Sequence, residues 1–226
     1  MSNKSVLKNR FIALSGIDGS GKSTQIELIR DYFNRDGKKV IYLWTRGGST
    51  PGINALKEFA RRIAGSKLPP SGHSKKRDQM LATGWVQRVW ITLAILDLVR
   101  IYVFSIRWWL LRGNIVLCDR YLWDTYIDFK IMFPNIKIQK WFIWKVLIKL
   151  SPVPNKALLL IIPLELSEKR CLNKYDPFPD TQDIRKIRYD LYERTSRKGY
   201  WDIINADNSI ETVFNKIMDN SYILNL

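Results

Sequence analysis

The loop at residues 16–23, with the sequence GIDGSGKS, constrains the fold of this chain more than any other segment. It fits the pattern G-x-x-x-x-G-K-[ST], in which a loop joins a strand to the start of a helix. The apolar run at 11–15 predicts the strand, and apolar residues three or four apart predict a helix over 22–34. A strand, a loop and a helix in this order favour an α/β fold, in which crossover helices connect parallel strands.

The composition of this loop suits a polyphosphate. Glycines let successive backbone N–H groups turn inward, and the N-terminus of the following helix favours anions. Lys22 would place a positive charge on the β and γ phosphates of a nucleoside triphosphate, most simply ATP, and the hydroxyl of Ser23 would bind Mg²⁺. The predicted nucleotide-binding residues are Gly16, Asp18, Gly19, Ser20, Gly21, Lys22, Ser23 and Thr24.

Polar residues follow two other predicted strands. Arg46 comes after the apolar segment 39–44, and Asp119 and Arg120 come after 115–118. Ligands of open α/β sheets bind beyond the carboxyl ends of the strands, so these side chains are expected near the phosphate loop. The guanidinium groups could bind a phosphate, and Asp119 could join Ser23 and Asp18 as a magnesium ligand. An exposed arginine at 46, and a helix cap or buried ion pair at 119, remain the alternatives.

The rest of the chain also alternates between predicted strands and helices. Further strands are expected at 156–162 and 201–205, and helices within 79–111 and at 122–132, 138–150, 166–174, 184–198 and 210–223. This pattern predicts a three-layer α/β P-loop fold, a parallel sheet flanked by helices, in a single domain over 1–226. The proline-rich segment 175–180 lies within a predicted mobile lid at about 172–183.

Together these segments resemble the thymidylate kinase family of P-loop nucleoside monophosphate kinases. The similarity rests on FIALSGIDGSGKSTQ at 11–25, TRGGSTPG at 45–52, GNIVLCDRY at 113–121 and NADNSIETVFNKI at 205–217, in the same order and spacing. The resemblance implies ATP- and Mg²⁺-dependent transfer of the γ-phosphoryl group to a nucleoside monophosphate, by default thymidine monophosphate. It also implies that Arg46, Asp119 and Arg120 serve the acceptor, and that the protein forms a homodimer.

The same resemblance assigns a catalytic role to arginines near the lid, because the phosphate loop contains no arginine. Arg170, Arg185 and Arg188 flank the lid loop and are the candidates, and an exposed position on a helix is the alternative for each of them. Arg170 and Arg185 complete a predicted catalytic set with Lys22, Arg46, Asp119 and Arg120. Such arginines would stabilise the charge of the transferring phosphoryl group.

Departures from the family pattern leave the acceptor open. The Glu-Pro pair that normally follows the arginine at 46 is missing, and Leu98 occupies the position of an arginine that helps read the thymine base. A divergent kinase for a sugar phosphate or a lipid-linked phosphate, acting at a membrane surface, is therefore an alternative. A non-enzymatic ATP-gated binding module is a third hypothesis, which the acceptor-binding residues disfavour.

The net charge of +16 and the nine tryptophans raise the question of an anionic partner. Anionic substrates, an anionic membrane and nucleic acid would all fit the charge, but no nucleic-acid-binding motif accompanies it, so we expect no nucleic-acid partner. The apolar segment 89–111 is interrupted by Asp97, Arg100 and Arg107, which argues against a membrane span. We expect a cytoplasmic protein, with core tryptophans and a solvated basic face or, alternatively, a peripheral membrane contact.

Overall fold

Five parallel strands form the central sheet of the computed structural model, which describes residues 11–46, 84–172 and 180–219. The strands lie in the order β2-β3-β1-β4-β5. Their bounds are Phe11–Gly16 for β1, Val40–Trp44 for β2, Ile115–Asp119 for β3, Lys156–Ile161 for β4 and Asp202–Asn205 for β5. Leu14 of β1 and Trp44 of β2 are both in register with Asp119 of β3, so the carboxyl ends of these strands lie side by side.

Helices cover both faces of the sheet. Their bounds are Lys22–Arg35 for α1, Gly84–Leu98 for α2, Ile106–Leu111 for α3, Leu122–Met132 for α4, Phe142–Leu150 for α5, Leu164–Leu172 for α6, Gln182–Ser196 for α7 and Ile210–Met218 for α8. One apolar core joins the sheet to α2, α4 and α5, and a second joins it to α1, α7 and α8. The predicted α/β architecture, a parallel sheet between two helical layers, is thus confirmed.

Some predicted boundaries differ from the observed ones. The last helix was expected over 210–223, but α8 ends at Met218 and Asp219 has an extended backbone, with φ −60° and ψ 132°. The buried ammonium of Lys156 accounts for this end, because it donates to the carbonyl oxygens of Ile217 at 2.7 Å and Asp219 at 2.8 Å. The predicted lid falls largely on residues 173–179, which lie outside the described residues.

Helices α2 and α3 belong to one continuous helix, Gly84–Leu111, joined by a π-helical stretch at Val99–Ser105. This helix is long and apolar enough to cross a membrane by length and composition, with a mean hydropathy of 1.9. Length and composition alone are weak evidence of a membrane span, so the expectation that this segment does not cross a membrane stays a prediction. The core helix of a soluble protein has the same properties, and 44% of the apolar window is buried within this protein.

Candidate functional site

The phosphate loop has the backbone that its glycines predict. Gly16 has a φ of 144°, and a Cβ atom there would lie 2.6 Å from the carbonyl oxygen of Leu160 in β4. Gly21, with a φ of 89°, immediately precedes α1. Only glycine combines these backbone angles with so close an approach to a neighbouring strand. The loop therefore curls between β1 and α1, with the N-terminus of α1 at its end.

The Lys22 side chain is buried within this loop. Its ammonium group donates to the carbonyl oxygens of Gly16 and Ile17, both at 2.9 Å. Burial lowers the pKa of Lys22 to about 8, and the charge of Arg120 lowers it further against the opposing effect of nearby carboxylates. Ser23 and Thr24, the next residues of α1, are exposed.

Arg120 connects the end of β3 to the phosphate loop. Its guanidinium donates to Asp18 at 2.8 Å and to the hydroxyl of Tyr192 in α7 at 3.0 Å. Its φ of 74° is left-handed, which is rare for a residue with a side chain, and its backbone N–H donates to the carbonyl oxygen of Leu14 at 2.8 Å. The strained backbone aims a buried guanidinium at the loop, as is common at functional sites.

The buried carboxylate of Asp124 supports Arg120 from the far side. It accepts hydrogen bonds from the hydroxyl of Ser15 at 2.6 Å, from the backbone N–H of Tyr121 at 2.8 Å and from the hydroxyl of Tyr192. Tyr192 thus bridges Asp124 and Arg120. Burial raises the pKa of Asp124, while Arg120 acts in the opposite direction. This network holds the guanidinium in one orientation.

A second chain of ion pairs reaches the site from β2 and α7. Arg46 donates to Asp180, which also accepts from Arg188 at 2.7 Å. Arg188 in turn donates to Asp128 of α4 at 2.5 Å. Arg188 and both of its carboxylate partners are buried, so these charges are fixed in place by pairing.

Four cationic side chains affect the pKa of Asp18 in the phosphate loop. Burial would raise its pKa, yet Arg120, Lys22, Arg46 and Arg188 together hold the pKa of this carboxyl well below its usual range. The carboxylate is therefore a small anion among four cationic side chains. Such an arrangement can bind larger anions such as phosphates.

Asp119 has the geometry of a potential magnesium ligand. One carboxylate oxygen accepts from the hydroxyl of Tyr42 at 3.3 Å, and the other is buried without a hydrogen-bond partner. One oxygen of Asp18 is likewise without a partner. Across 11–46, 84–172 and 180–219, no three His, Cys, Asp or Glu side chains form a preformed metal cluster. Carboxylate oxygens without a partner nevertheless match the hard oxygen ligands that Mg²⁺ prefers.

The two predicted lid arginines contact different parts of this site. Arg170 of α6 donates to the carbonyl oxygen of Gly19 in the phosphate loop at 3.3 Å. Arg185 of α7 donates to the carbonyl oxygen of Asp180 at 3.3 Å, and its Nε is buried without a partner. All of the predicted catalytic residues therefore lie at the carboxyl ends of the strands or on helices that border them.

Comparison with known proteins agrees with this geometry. No family model matches the chain. A probable thymidylate kinase from Pyrococcus horikoshii is 26% identical, over 94% of this chain and 95% of its own length. A thymidylate kinase from Thermosipho africanus is 28% identical, over 92% of this chain and 94% of its own length. Another, from Neisseria meningitidis, is 46% identical but over 53 residues only, 24% of this chain.

The chain is thymidylate kinase-like over nearly its whole length. The resemblance inferred from the sequence motifs is thus confirmed, and so is the enzyme class that it implies, a phosphotransferase.

Three buried residues at this site, Asp124, Asp180 and Tyr192, were not among the candidates, whereas Arg188 is one of the three arginines that flank the predicted lid. Arg188 and Tyr192 lie four residues apart and therefore share one face of α7. This spacing could have been read from the sequence, but the partners of these side chains lie on β3, α4 and the segment before α7, which no local pattern indicates.

Proposed function

We propose that this protein is a cytoplasmic P-loop kinase that transfers the γ-phosphoryl group of ATP to the phosphate of a nucleoside monophosphate, with thymidine monophosphate as the default acceptor. The observation that carries this proposal is the ion pair of 2.8 Å between Arg120 and Asp18 of the phosphate loop, in which the Lys22 ammonium donates to the carbonyl oxygens of Gly16 and Ile17. The names of the relatives, thymidylate kinases, support the same class of acceptor.

The donor would bind on the loop itself. Backbone N–H groups between Gly16 and Ser23, and the N-terminus of α1, would face the phosphate oxygens. Lys22 would leave the carbonyl oxygens of Gly16 and Ile17, to which it now donates, and pair with the β and γ phosphates. The buried position of its ammonium makes that charge effective, because little water competes for it.

The acceptor phosphate would bind between Arg46 and Arg120. Each of these guanidiniums donates to a carboxylate, Arg46 to Asp180 and Arg120 to Asp18. A doubly charged phosphate with three oxygens can replace a carboxylate as the partner of an arginine. Arg188, together with the predicted Arg170 and Arg185, would then stabilise the negative charge of the transferring group and exclude water.

Ser23 and Asp119, with Asp18 beside them, would hold Mg²⁺. The unpartnered buried oxygen of Asp119 fits this role. When bound, the ion supplies charge neutralisation on the β and γ phosphates. The side chains of this chain then have three tasks, which are to align donor and acceptor, to keep both phosphates paired, and to limit water at the reacting atoms.

A coupled assay of ADP formation tests the proposal, using purified protein, ATP and a series of nucleoside monophosphates that includes thymidine monophosphate. We expect turnover with at least one pyrimidine monophosphate, and its loss in Lys22→Ala. Lys198→Ala, which changes an exposed lysine, is the matched control and should keep full activity.

If no nucleoside monophosphate is turned over while ATP still binds, the proposed acceptor class is wrong. Acceptor screening by mass spectrometry with sugar phosphates and lipid-linked phosphates would then identify the alternative. If turnover is unchanged in Lys22→Ala, Lys22 does not hold the phosphates of ATP, and the proposed mechanism is wrong whatever the acceptor is.

A further inference from the structure

Asp124 of α4 is a fully buried carboxylate that is joined to the Arg120 guanidinium through one hydroxyl group. One of its oxygens accepts from Ser15 and from the backbone N–H of Tyr121, and the other accepts from the hydroxyl of Tyr192. The same hydroxyl accepts from Nη1 of Arg120 at 3.0 Å. The phenol of Tyr192 therefore uses its hydrogen on the carboxylate and a lone pair on the guanidinium, as a hydroxyl group can.

The other terminal nitrogen of this guanidinium faces the phosphate loop. Nη2 of Arg120 donates to Asp18 at 2.8 Å, and the Asp18 side chain is 22% exposed, whereas that of Arg120 is only 4% exposed. Asp18 can exchange its partner for water or a ligand, but Tyr192 and Asp124 have no such freedom because they are buried. The guanidinium thus has a permanent partner on Nη1 and an exchangeable partner on Nη2.

The nearby Arg188 is held in a different way. It donates directly to the carboxylates of Asp128 and Asp180, and all three residues are buried. Carboxylates in direct contact offset the charge of a guanidinium and occupy its N–H groups. At Arg120 the buried carboxylate acts through a neutral phenol instead. The guanidinium is therefore held in place and still keeps more of its charge for a ligand.

The backbone at Arg120 fixes where this side chain begins but not where it ends. Its φ of 74° is left-handed, and its N–H donates to the carbonyl oxygen of Leu14 at 2.8 Å. The arginine side chain beyond Cα has several rotatable bonds, and ordering them costs conformational entropy. A buried hydrogen bond at the end of the side chain removes this freedom before a ligand arrives, which is how a preorganised site gains affinity.

We propose that Asp124 and Tyr192 are positioning residues for the acceptor phosphate. They hold Arg120 by Nη1, so that Nη2 keeps its direction toward the phosphate loop when the acceptor phosphate replaces Asp18 as its partner. The inference rests on the proposed function, because it needs an acceptor phosphate that binds Arg120. It adds two residues that act through another side chain and set the orientation in which this phosphate is held.

Steady-state kinetics of Tyr192→Phe tests the inference, with ATP and the acceptor that the natural protein turns over best. The change removes only the hydroxyl group and keeps the ring in the core. We expect kcat/KM for the acceptor to fall about tenfold, as for the loss of a hydrogen bond to a charged group, while KM for ATP changes by less than about twofold.

Asp124→Asn should cause a similar loss in kcat/KM for the acceptor, because it removes the carboxylate that orients the Tyr192 hydroxyl. The double variant should be no worse than the worse of the two single variants, since both changes act on the same hydrogen bond to Arg120. If the two losses multiply in the double variant, the residues act independently and the inference is overturned.

Lys156→Gln is the matched control for the loss of buried hydrogen bonds. The buried Lys156 ammonium donates to the carbonyl oxygens of Ile217 and Asp219, and Lys156 begins β4, at the edge of the sheet opposite the site. Thermal unfolding should show lower stability in this variant and in Tyr192→Phe, but only Tyr192→Phe should change kcat/KM for the acceptor. Equal losses of acceptor kcat/KM in the two variants would overturn the inference, and so would an equal rise in KM for ATP and for the acceptor in Tyr192→Phe.

NMR of protein labelled with ¹⁵N-arginine separates this inference from the proposed function, because the measurement needs no turnover. The Nη signals of Arg120 are assigned by their loss in Arg120→Lys. We expect slow rotation of this guanidinium in the natural protein and rotation about tenfold faster in Tyr192→Phe, since the bond that holds Nη1 is lost. If no nucleoside monophosphate is turned over, only the proposed function is wrong. If the guanidinium rotates equally slowly in both proteins, the positioning role is wrong.

Discussion

The buried Arg120 and the half-buried Asp18 form an ion pair of 2.8 Å that links the end of strand β3 to the phosphate loop. The pair joins the proposed acceptor side of the site to the donor side. Tyr192 holds the same guanidinium from α7 at 3.0 Å. The guanidinium thus ties the end of β3 to two other parts of the fold, the phosphate loop and α7, through N–H donors of one planar group.

Replacing Arg120 by lysine should therefore impair catalysis although the charge is kept. An ammonium cannot donate to Asp18 and Tyr192 with the same geometry, so kcat/KM should fall about 100-fold. Steady-state kinetics with both substrates would measure this. Arg197→Lys is the control, because Arg197 pairs with Glu193 on the surface at 3.0 Å. Wild-type kinetics in the Arg120 variant would mean that this guanidinium does not serve the reaction.

Asp180 is expected to compete with the acceptor phosphate, because its carboxylate pairs with both Arg46 and Arg188. Asp180→Asn should lower the KM for the acceptor severalfold, since Arg46 is released. The same change should lower the free energy of unfolding by about 1–3 kcal/mol, because charged hydrogen bonds are lost. Acceptor titrations and urea unfolding would measure the two effects.

A second variant separates these effects. Asp128→Asn removes a different partner of Arg188, at 2.5 Å, and leaves the pair between Arg46 and Asp180 in place. It should reduce stability similarly without lowering the acceptor KM. An equal KM change in both variants would argue against competition at Arg46.

ATP affinity should decline as the pH rises through about 8, the lowered pKa of Lys22. The ammonium binds phosphate only when it is protonated, so affinity is highest below this pKa and is lost above it. Calorimetric titrations from neutral to alkaline pH would measure the decline. In Lys22→Arg the decline should disappear, even if the affinity is lower overall, because a guanidinium stays charged. If the ATP affinity of the natural protein does not change with pH over this range, Lys22 is not the group whose charge binds the phosphates.

Gly16 should tolerate no side chain. A Cβ atom at this position would meet the carbonyl oxygen of Leu160 at 2.6 Å, so Gly16→Ala should abolish ATP binding and lower the free energy of unfolding by about 2 kcal/mol or more. Gly37→Ala is a matched control, because Gly37 also has a positive φ, 68°, but open space around it. Gly37→Ala should lower the free energy of unfolding by about 1 kcal/mol and leave ATP binding intact. If thermal unfolding shows that Gly16→Ala and Gly37→Ala lose equal stability, the clash between a Cβ atom at position 16 and Leu160 is not the cause.

Short-range patterns were reliable guides to the elements of this chain. The predicted helix over 22–34 differs from α1, Lys22–Arg35, by one residue, and the predicted strand at 115–118 differs from β3 by one. Apolar spacing and the positions of glycine act within a few residues, so the sequence displays them directly. The long helix was also expected, within 79–111, and the structure has it at Gly84–Leu111.

The sequence by itself determined the phosphate loop with Lys22 at the start of α1, the parallel α/β order, and the presence of Arg46, Asp119 and Arg120 at the ends of strands. Only the tertiary structure decided which carboxylates meet these cations. Asp180 pairs with Arg46, and Tyr192 pairs with Arg120. The partners in each pair are so far apart in the sequence that no local pattern includes both of them. Their pairing depends on how α7 packs against α4 beside the sheet, and packing of distant segments is decided by shape and burial rather than by spacing along the chain.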